Sequence, residues 1–357
     1  MSTTAIHPAR RFTYAAAIGI VAVGALALAG CDGSASTGGG EPDSEGPSTV
    51  RIGITPSVNN ATMNLAVDAE LGDEHGYTLE RTTVGGAGST NQVSALLAGD
   101  LDVAVGGTNT IIDAIAQGAE LQIIAGMAPL LFSMTLSDDA ADASGVDPDA
   151  SIEDRVEALE GLKIAASPSG STGNIVLRTI LETYGLDPDE DVTLVPLNDL
   201  GAVPAGLMQG TFDASFAAAG TGEVAVASGD AVTWLSLPQG DIPAFEPYVG
   251  IVAYAGTDYI ENNPEAIDAT FAALNDAQAM TVDDPDEAGA LLKESIFAEM
   301  DDAVFEETWA QVEGSYIEGS KFTEENWQTI VDLFDETSDN DYASMTYDDL
   351  VAEIARG

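Results

Sequence analysis

The feature that most constrains the fold is an echo along the chain. Val50-Arg51-Ile52-Gly53-Ile54-Thr55-Pro56-Ser57 is an apolar strand with one basic residue near its start, and it runs into Thr-Pro-Ser. Leu162-Lys163-Ile164-Ala165-Ala166-Ser167-Pro168-Ser169 has the same form 112 positions later. Gly99-Asp100-Leu101-Asp102 and Gly210-Thr211-Phe212-Asp213 stand 111 positions apart, each behind an apolar helix and ahead of an apolar strand. Gly and Pro punctuate every βα unit. Two matches at nearly one offset nevertheless point to two lobes of like construction.

The pattern between these marks is strand, helix, strand. Strands fit residues 50–54, 78–82, 101–105, 121–125, 162–166, 192–196, 214–218, 232–237 and 249–254. Helices fit 62–71, 90–98, 110–117, 173–184 and 203–208. The alternation predicts an α/β chain of open, mostly parallel sheets flanked by helices. From Pro264 onward, apolar residues recur at helical spacing in 267–280, 288–297, 304–312 and 327–334, with no strand signal. This predicts a helical C-terminal segment packed around the lobes.

The start of the chain reads differently. Arg10 and Arg11 precede an uncharged apolar stretch from Ala15 to Leu28, which ends in Leu28-Ala29-Gly30-Cys31. That order is a secretory leader, and the apolar stretch is too short for a membrane span. The small residues before Cys31 resemble the lipobox of bacterial lipoproteins. The resemblance implies cleavage before Cys31, lipid on its sulfur and an extracytoplasmic, membrane-anchored body. The Arg pair weakly resembles a twin-arginine signal, and Asp32 resembles an inner-membrane retention signal. Residues 32–48 hold only small, polar and acidic types and read as a flexible tether. Its 17 residues give a reach of roughly 20–25 Å, at about 5–6 Å × √n.

Charge and side-chain chemistry narrow the function. The chain has 60 acidic residues against 10 basic, a net charge of −50. Such a surface repels nucleic acid and anionic membranes. Its 45% hydrophobic content is that of a folded chain, so the acidity reads as adaptation to high salt. Cys31 is the only cysteine, which leaves no disulfide framework and no thiol catalyst in the body. His75 is the only histidine after the leader, so neither a Ser/His/Asp set nor Cys/His metal spacing exists. No metal or cofactor is implied.

The candidate ligand-binding residues stand at helix starts. In open α/β sheets, ligands sit beyond the carboxyl ends of strands, where helix N-termini offer unpaired N–H groups. Ser57, Asn59 and Asn60 follow the first strand. Gly85, Gly86, Gly88, Ser89 and Thr90 follow the second, and Ser89 with Gln92 fits a capping box. Thr108 and Asn109 follow the third. Ser169, Gly170, Ser171 and Thr172 precede a helix with the apolar face Val176, Leu177, Ile180, Leu181 and Tyr184. Thr221 lies in a further Gly-flanked turn. At any single junction capping is the commoner role; the inference rests on several junctions opening to one crevice. No arginine stands out as an anion clamp, and Phe132, Trp234 and Tyr248 read as core more than as ring-stacking residues.

The order of segments also resembles a family. Leu159-Glu160-Gly161-Leu162-Lys163-Ile164-Ala165, Gly170-Ser171-Thr172, Leu181-Glu182-Thr183-Tyr184-Gly185-Leu186-Asp187-Pro188, Asp191-Val192-Thr193-Leu194-Val195 and Gly210-Thr211-Phe212-Asp213-Ala214 are similar to the substrate-binding proteins of nitrate/sulfonate/taurine-type ABC transporters. Asn326-Trp327 is similar as well. The resemblance implies a two-lobed, periplasmic-binding-protein-like (type II) fold that closes on a small polar organic ligand. It implies delivery to an ABC permease and its ATPase, by a protein that is no enzyme. The ligand would be sulfonate-, nitrate- or taurine-like, or pyrimidine- or thiamine-precursor-like. The corresponding divisions are a leader (1–30), lipidated Cys31 and tether (31–48), first lobe (49–127), second lobe (128–247), and a return to the first lobe with C-terminal helices (248–357). A monomer is expected. The chain departs from the family at Ala217-Ala218-Ala219-Gly220-Thr221-Gly222, where many relatives carry Glu-Pro. A TRAP-type solute receptor and a ligand-sensing receptor share these features. A pyrimidine-precursor synthase of related fold is the remaining alternative; its chemistry needs histidine, a cofactor-bound lysine and a cysteine cluster, whereas here His75 stands alone and no cysteine follows Cys31.

High-salt adaptation predicts that added salt screens the self-repulsion of the acidic surface, since the Debye length shortens to ~3 Å at 1 M. The melting temperature should rise from dilute buffer to 2 M KCl. Equal values in the two conditions would refute the reading.

Overall fold

The computed structural model describes residues 48–82, 84, 89–197, 200–334, 340 and 342–357. The expected leader, Cys31 and all but the last residue of the expected tether lie outside them, as do Gly85, Gly86 and Gly88.

The first sheet contains β1 (Ser48–Gly53), β2 (Tyr77–Thr82), β3 (Val103–Gly107), β4 (Leu121–Pro129) and β10 (Val249–Gly256). The second contains β5 (Phe132–Ser137), β6 (Lys163–Ala166), β7 (Thr193–Pro196), β8 (Ala214–Ala218) and β9 (Ala231–Ser236). Their orders, β2-β1-β3-β10-β4 and β7-β6-β8-β5-β9, are the same arrangement twice. In each sheet four strands run one way. The fifth, β10 or β5, runs antiparallel to both its neighbours. The sheets are therefore mixed, and in each the reversed strand is the first one after the chain crosses from the other sheet.

The helices are α1 (Ala61–Asp68), α2 (Ser89–Leu97), α3 (Thr108–Ala116), α4 (Asp138–Ser144), α5 (Ile152–Glu157), α6 (Thr172–Thr183), α7 (Val203–Met208), α8 (Glu223–Ala227), α9 (Thr257–Asn262), α10 (Pro264–Asp283), α11 (Pro285–Glu294), α12 (Asp302–Val312), α13 (Glu324–Phe334) and α14 (Tyr347–Leu350). Central strands such as β3 are buried on both faces by these helices, which explains their unbroken apolar runs. In α10, Ala266, Ala269, Ala273 and Ala277 repeat at three- and four-residue spacing and are all buried. Their small side chains bring the helix close to α1 and the first sheet.

The sequence echo has a physical content. Asp102 Oδ2 accepts the Arg51 backbone N–H at 2.8 Å, and the Asp102 N–H donates to the Arg51 carbonyl at 3.0 Å. In the second lobe, Asp213 Oδ2 accepts the Lys163 N–H at 2.8 Å, and the Asp213 N–H donates to the Lys163 carbonyl at 2.8 Å. The same aspartate thus sets β3 beside β1 and β8 beside β6.

The chain leaves the first sheet through Leu130 and Leu131 and returns through residues 237–248. Both leucines are buried, and one apolar cluster joins Leu130, Tyr248 and Phe334 with residues of both sheets. Arg155 pins the return: its guanidinium pairs with Asp241 at 2.8 Å and donates to the Trp234 carbonyl at 2.8 Å. The C-terminal segment is helical as expected, but it also adds backbone bridges, Ile123 to Val351 and Phe322 to Arg356. Buried Gln278 on α10 ties this segment down. It donates to the Gly126 carbonyl at 3.2 Å and accepts from the N–H and hydroxyl of Ser320 at 2.9 and 2.7 Å.

The two crossings touch at Gly250. A Cβ there would lie 2.7 Å from the Pro129 carbonyl oxygen and 3.3 Å from Leu130 Cα. Both are backbone atoms, so they cannot turn aside as a side chain would. Gly250→Ala should lower stability by about 1–3 kcal/mol, read as a lower urea midpoint at unchanged m-value.

Candidate functional site

The carboxyl ends of β1 and β3 open onto a cavity of about 120 Å³. Its lining includes Thr55, Ser57, Asn59, Asn60, Ser89, Gln92 and the backbone of Gly106 and Gly107. The local fold explains this collection. Asn60 donates to Thr55 Oγ1 at 2.7 Å and to its carbonyl at 3.2 Å. Asn64 donates to the same carbonyl at 3.1 Å and to the Asn60 carbonyl at 2.9 Å. These amides hold the turn between β1 and α1, so Asn60 serves the turn. Ser57 and Asn59 carry no side-chain hydrogen bond, and both face the cavity.

Ser89 does not form the expected capping box. Its Oγ accepts the Gly107 N–H at 2.9 Å, while Gln92 Oε1 is buried without a partner. Gly106 has to be glycine, because a Cβ would meet Ser89 Oγ at 2.8 Å. Thr90 points elsewhere, into an outer groove between α2 and α3. Thr108 and Asn109 are spent on the returning chain: Thr108 Oγ1 donates to the Val249 carbonyl at 2.6 Å, and Asn109 Oδ1 accepts from the Tyr248 hydroxyl.

In the second lobe, Gly170 turns the chain at φ +82° and Ser171 precedes α6. The Ser171 hydroxyl donates to the Pro168 carbonyl at 2.7 Å rather than capping the helix. Thr172 opens α6, and Thr221 is half-buried in the turn after β8. Ser169 lines a separate cavity of about 400 Å³ between α6 and β7, with Ser167, Asn174 and Arg178. Arg178, off the apolar face of α6, pairs with Asp189. Four of the expected residues, Ser57, Asn59, Asn60 and Ser89, therefore share one cavity, and Ser169 and Thr90 lie in two others. Trp234 and Tyr248 are core, while Phe132 is half-buried and stacks on Phe216 at 5.5 Å. His75 pairs with Asp276 at 2.6 Å on the surface.

Three residues of this region escape sequence reasoning. Gln92, 4% exposed, borders both the small cavity and an adjoining one of about 610 Å³. Arg81, at the carboxyl end of β2, lines the larger cavity and pairs with Asp68 at 2.9 Å. Glu223, 2% exposed, opens α8 and accepts the Gly220 N–H at 2.9 Å. Only a Gly-Thr-Gly-Glu turn marked Glu223 in the sequence, and that reads as an ordinary helix start. Among the described residues, no cluster of three or more His, Cys, Asp or Glu could hold a metal. No described helix is long and apolar enough to cross a membrane.

The sequence profile of the NMT1-like family matches residues 43–293, most of the chain. The chain belongs to that family. No curated protein matches it. Solved structures do. The aliphatic sulphonate-binding protein of Escherichia coli is 20% identical over 85% of this chain and 99% of its own, with a TM-score of 0.64. The alkanesulfonate-binding protein of Xanthomonas axonopodis pv. citri, bound to MOPS, is 20% identical over 82% and 94%, with a TM-score of 0.59. The nitrate-binding protein of Synechocystis PCC 6803 is 17% identical over 75% and 70%, with a TM-score of 0.56. This NMT1-like chain therefore has the two-lobed periplasmic-binding-protein fold.

Burial raises the pKa of Glu223 above its ordinary 4.5, and Glu307 adds to the rise; the backbone N–H groups of residues 220, 222 and 223 oppose it. The folded state thus keeps this proton after the unfolded chain has lost it. Stability falls as pH climbs from the unfolded pKa through the folded one, and stays lower above it. Glu223→Gln should match the parent in urea unfolding below pH 4 and exceed it at pH 8. A variant weaker at pH 8 would show that the ionised carboxylate is a net stabiliser.

Proposed function

We propose that this protein is an extracytoplasmic solute receptor. It holds a small polar organic molecule at the carboxyl ends of its strands and hands it unchanged to an ABC permease and its ATPase. The supporting observation is the cavity of hydroxyl and amide groups at β1 and β3, at the place where open α/β sheets bind ligands. Ser57 and Asn59 keep their side chains free for a ligand, and backbone N–H groups at the helix starts add donors. Thr172 and Thr221 stand at the matching starts in the second lobe. Family membership and the shared fold agree with this reading.

The receptor works as a monomer. Residues 49–127 form its first lobe and 128–247 its second, with 248–357 returning to the first. Residues 1–30 direct export, and lipid on Cys31 holds the body to the membrane through the tether. A reach of roughly 20–25 Å keeps it near its permease and free to turn.

Two experiments test the proposal. In a thermal-shift screen in 2 M KCl, a true ligand at 100-fold its Kd adds ~2.7 kcal/mol. Asn59→Ala should then weaken binding at least tenfold, about 1.4 kcal/mol, without lowering the unliganded melting temperature. In cells, Cys31→Ala should move the protein from the membrane fraction to the soluble fraction. Unchanged membrane retention would refute the lipid anchor.

A further inference from the structure

The two adjoining cavities of the first lobe share one uncommitted polar group. Thr55 and Gln92 border both. The Thr55 hydroxyl and carbonyl already accept from Asn60 and Asn64. Gln92 is 4% exposed, and its side-chain Oε1 is buried without a partner. A buried amide oxygen without a partner is unfavourable, and at this position on α2 an apolar side chain of the same length would pack without that penalty. Its presence is explained if a partner arrives from the cavity.

The surrounding charge says what kind of partner. Among the described residues, none that lines the smaller cavity is charged. The larger one has Arg81, whose Nη2 donates to Asp68 Oδ1 at 2.9 Å and to Asn64 Oδ1 at 3.0 Å, while its Nε is buried without a partner. Its charge is thereby balanced inside the wall. An anion entering here would lose water without gaining a free countercharge, in a chain of net charge −50. The head of Gln92 instead offers one acceptor and two donors in a plane. That plane fits a neutral group with adjacent C=O and N–H. Ile54, Pro56 and Ile296 supply an apolar flank for the rest of the molecule. The volume of about 610 Å³ is ample for a small ring.

We propose that Gln92 is the specificity-determining residue of this site and that the ligand is an uncharged molecule with an amide, lactam or ureide edge, rather than a sulfonate or nitrate. This rests on the solute-receptor reading and goes beyond it.

The test uses the full-length protein in 2 M KCl, with calorimetric titration of uracil, hydantoin and nicotinamide against ethanesulfonate, taurine and nitrate. The expected result is that a neutral amide-edged compound binds at least tenfold tighter than any anion. Gln92→Met should weaken that binding at least tenfold. The unliganded variant should melt no lower than the parent, whereas a merely structural Gln92 would leave it less stable. Tightest binding by an anion would overturn the inference and leave the receptor reading standing. So would an affinity within twofold of the parent in Gln92→Met. Binding by none of the six would count against both. The selectivity of the unmutated protein decides the ligand class even if the variant fails to fold.

Discussion

The fold depends on one small interaction made twice. An aspartate after a helix exchanges two hydrogen bonds with the backbone of a neighbouring strand, Asp102 with Arg51 in β1 and Asp213 with Lys163 at the start of β6. This fixes the register of the central parallel strands. Residues 55–57 beyond β1 then come beside Gly106 and Gly107 at the end of β3 and form a common wall. Arg51 strengthens the first instance with a two-pronged guanidinium contact to Asp102 at 2.9 and 2.6 Å. Without that registry, Thr55, Ser57 and Gly107 would not meet around one cavity.

Most polar side chains at the wall are consumed in building it. Asn60 and Asn64 hold the first turn, Ser89 accepts the Gly107 N–H, and Thr108 and Asn109 hold the returning chain. Among the described residues lining the small cavity, what remains free is sparse: Ser57, Asn59 and the head of Gln92. Such economy is expected, because each buried polar group must find a partner, and in the proposed receptor recognition falls to the few that have none. Glu223 shows the complementary case. Its carboxyl is desolvated in the second lobe, where ionisation opposes folding.

The strands were largely legible. β8 falls at residues 214–218 and α7 at 203–208, where periodicity placed them. The other expected strands and long helices shift by a few residues at their ends. β5 was not legible, because Phe132–Ser137 follows directly on a crossing and half its residues are Ser or Thr. Its partners β8 and β9 bury those hydroxyls, a fact that no local pattern carries. The short helices α4, α5 and α8 were missed for a related reason. At seven, six and five residues they are too brief for a helical period.

The candidate site was legible as a set of junctions but not as roles. Local chemistry was enough to establish alternating strands and helices, the two-fold echo and the small polar residues at strand ends, because each depends on residues close together in the chain. The roles depend on partners far away. Thr108 is taken by Val249 and Asn109 by Tyr248, 141 and 139 residues on. Thr90 and Gln92, two positions apart on one helix, point to different sides by helix geometry, and what packs around α2 decides which cavity each one meets. Whether a hydroxyl is a cap, a strut or a ligand contact is settled by which groups folding brings within 3 Å of it, and that is a property of the packed chain rather than of any segment.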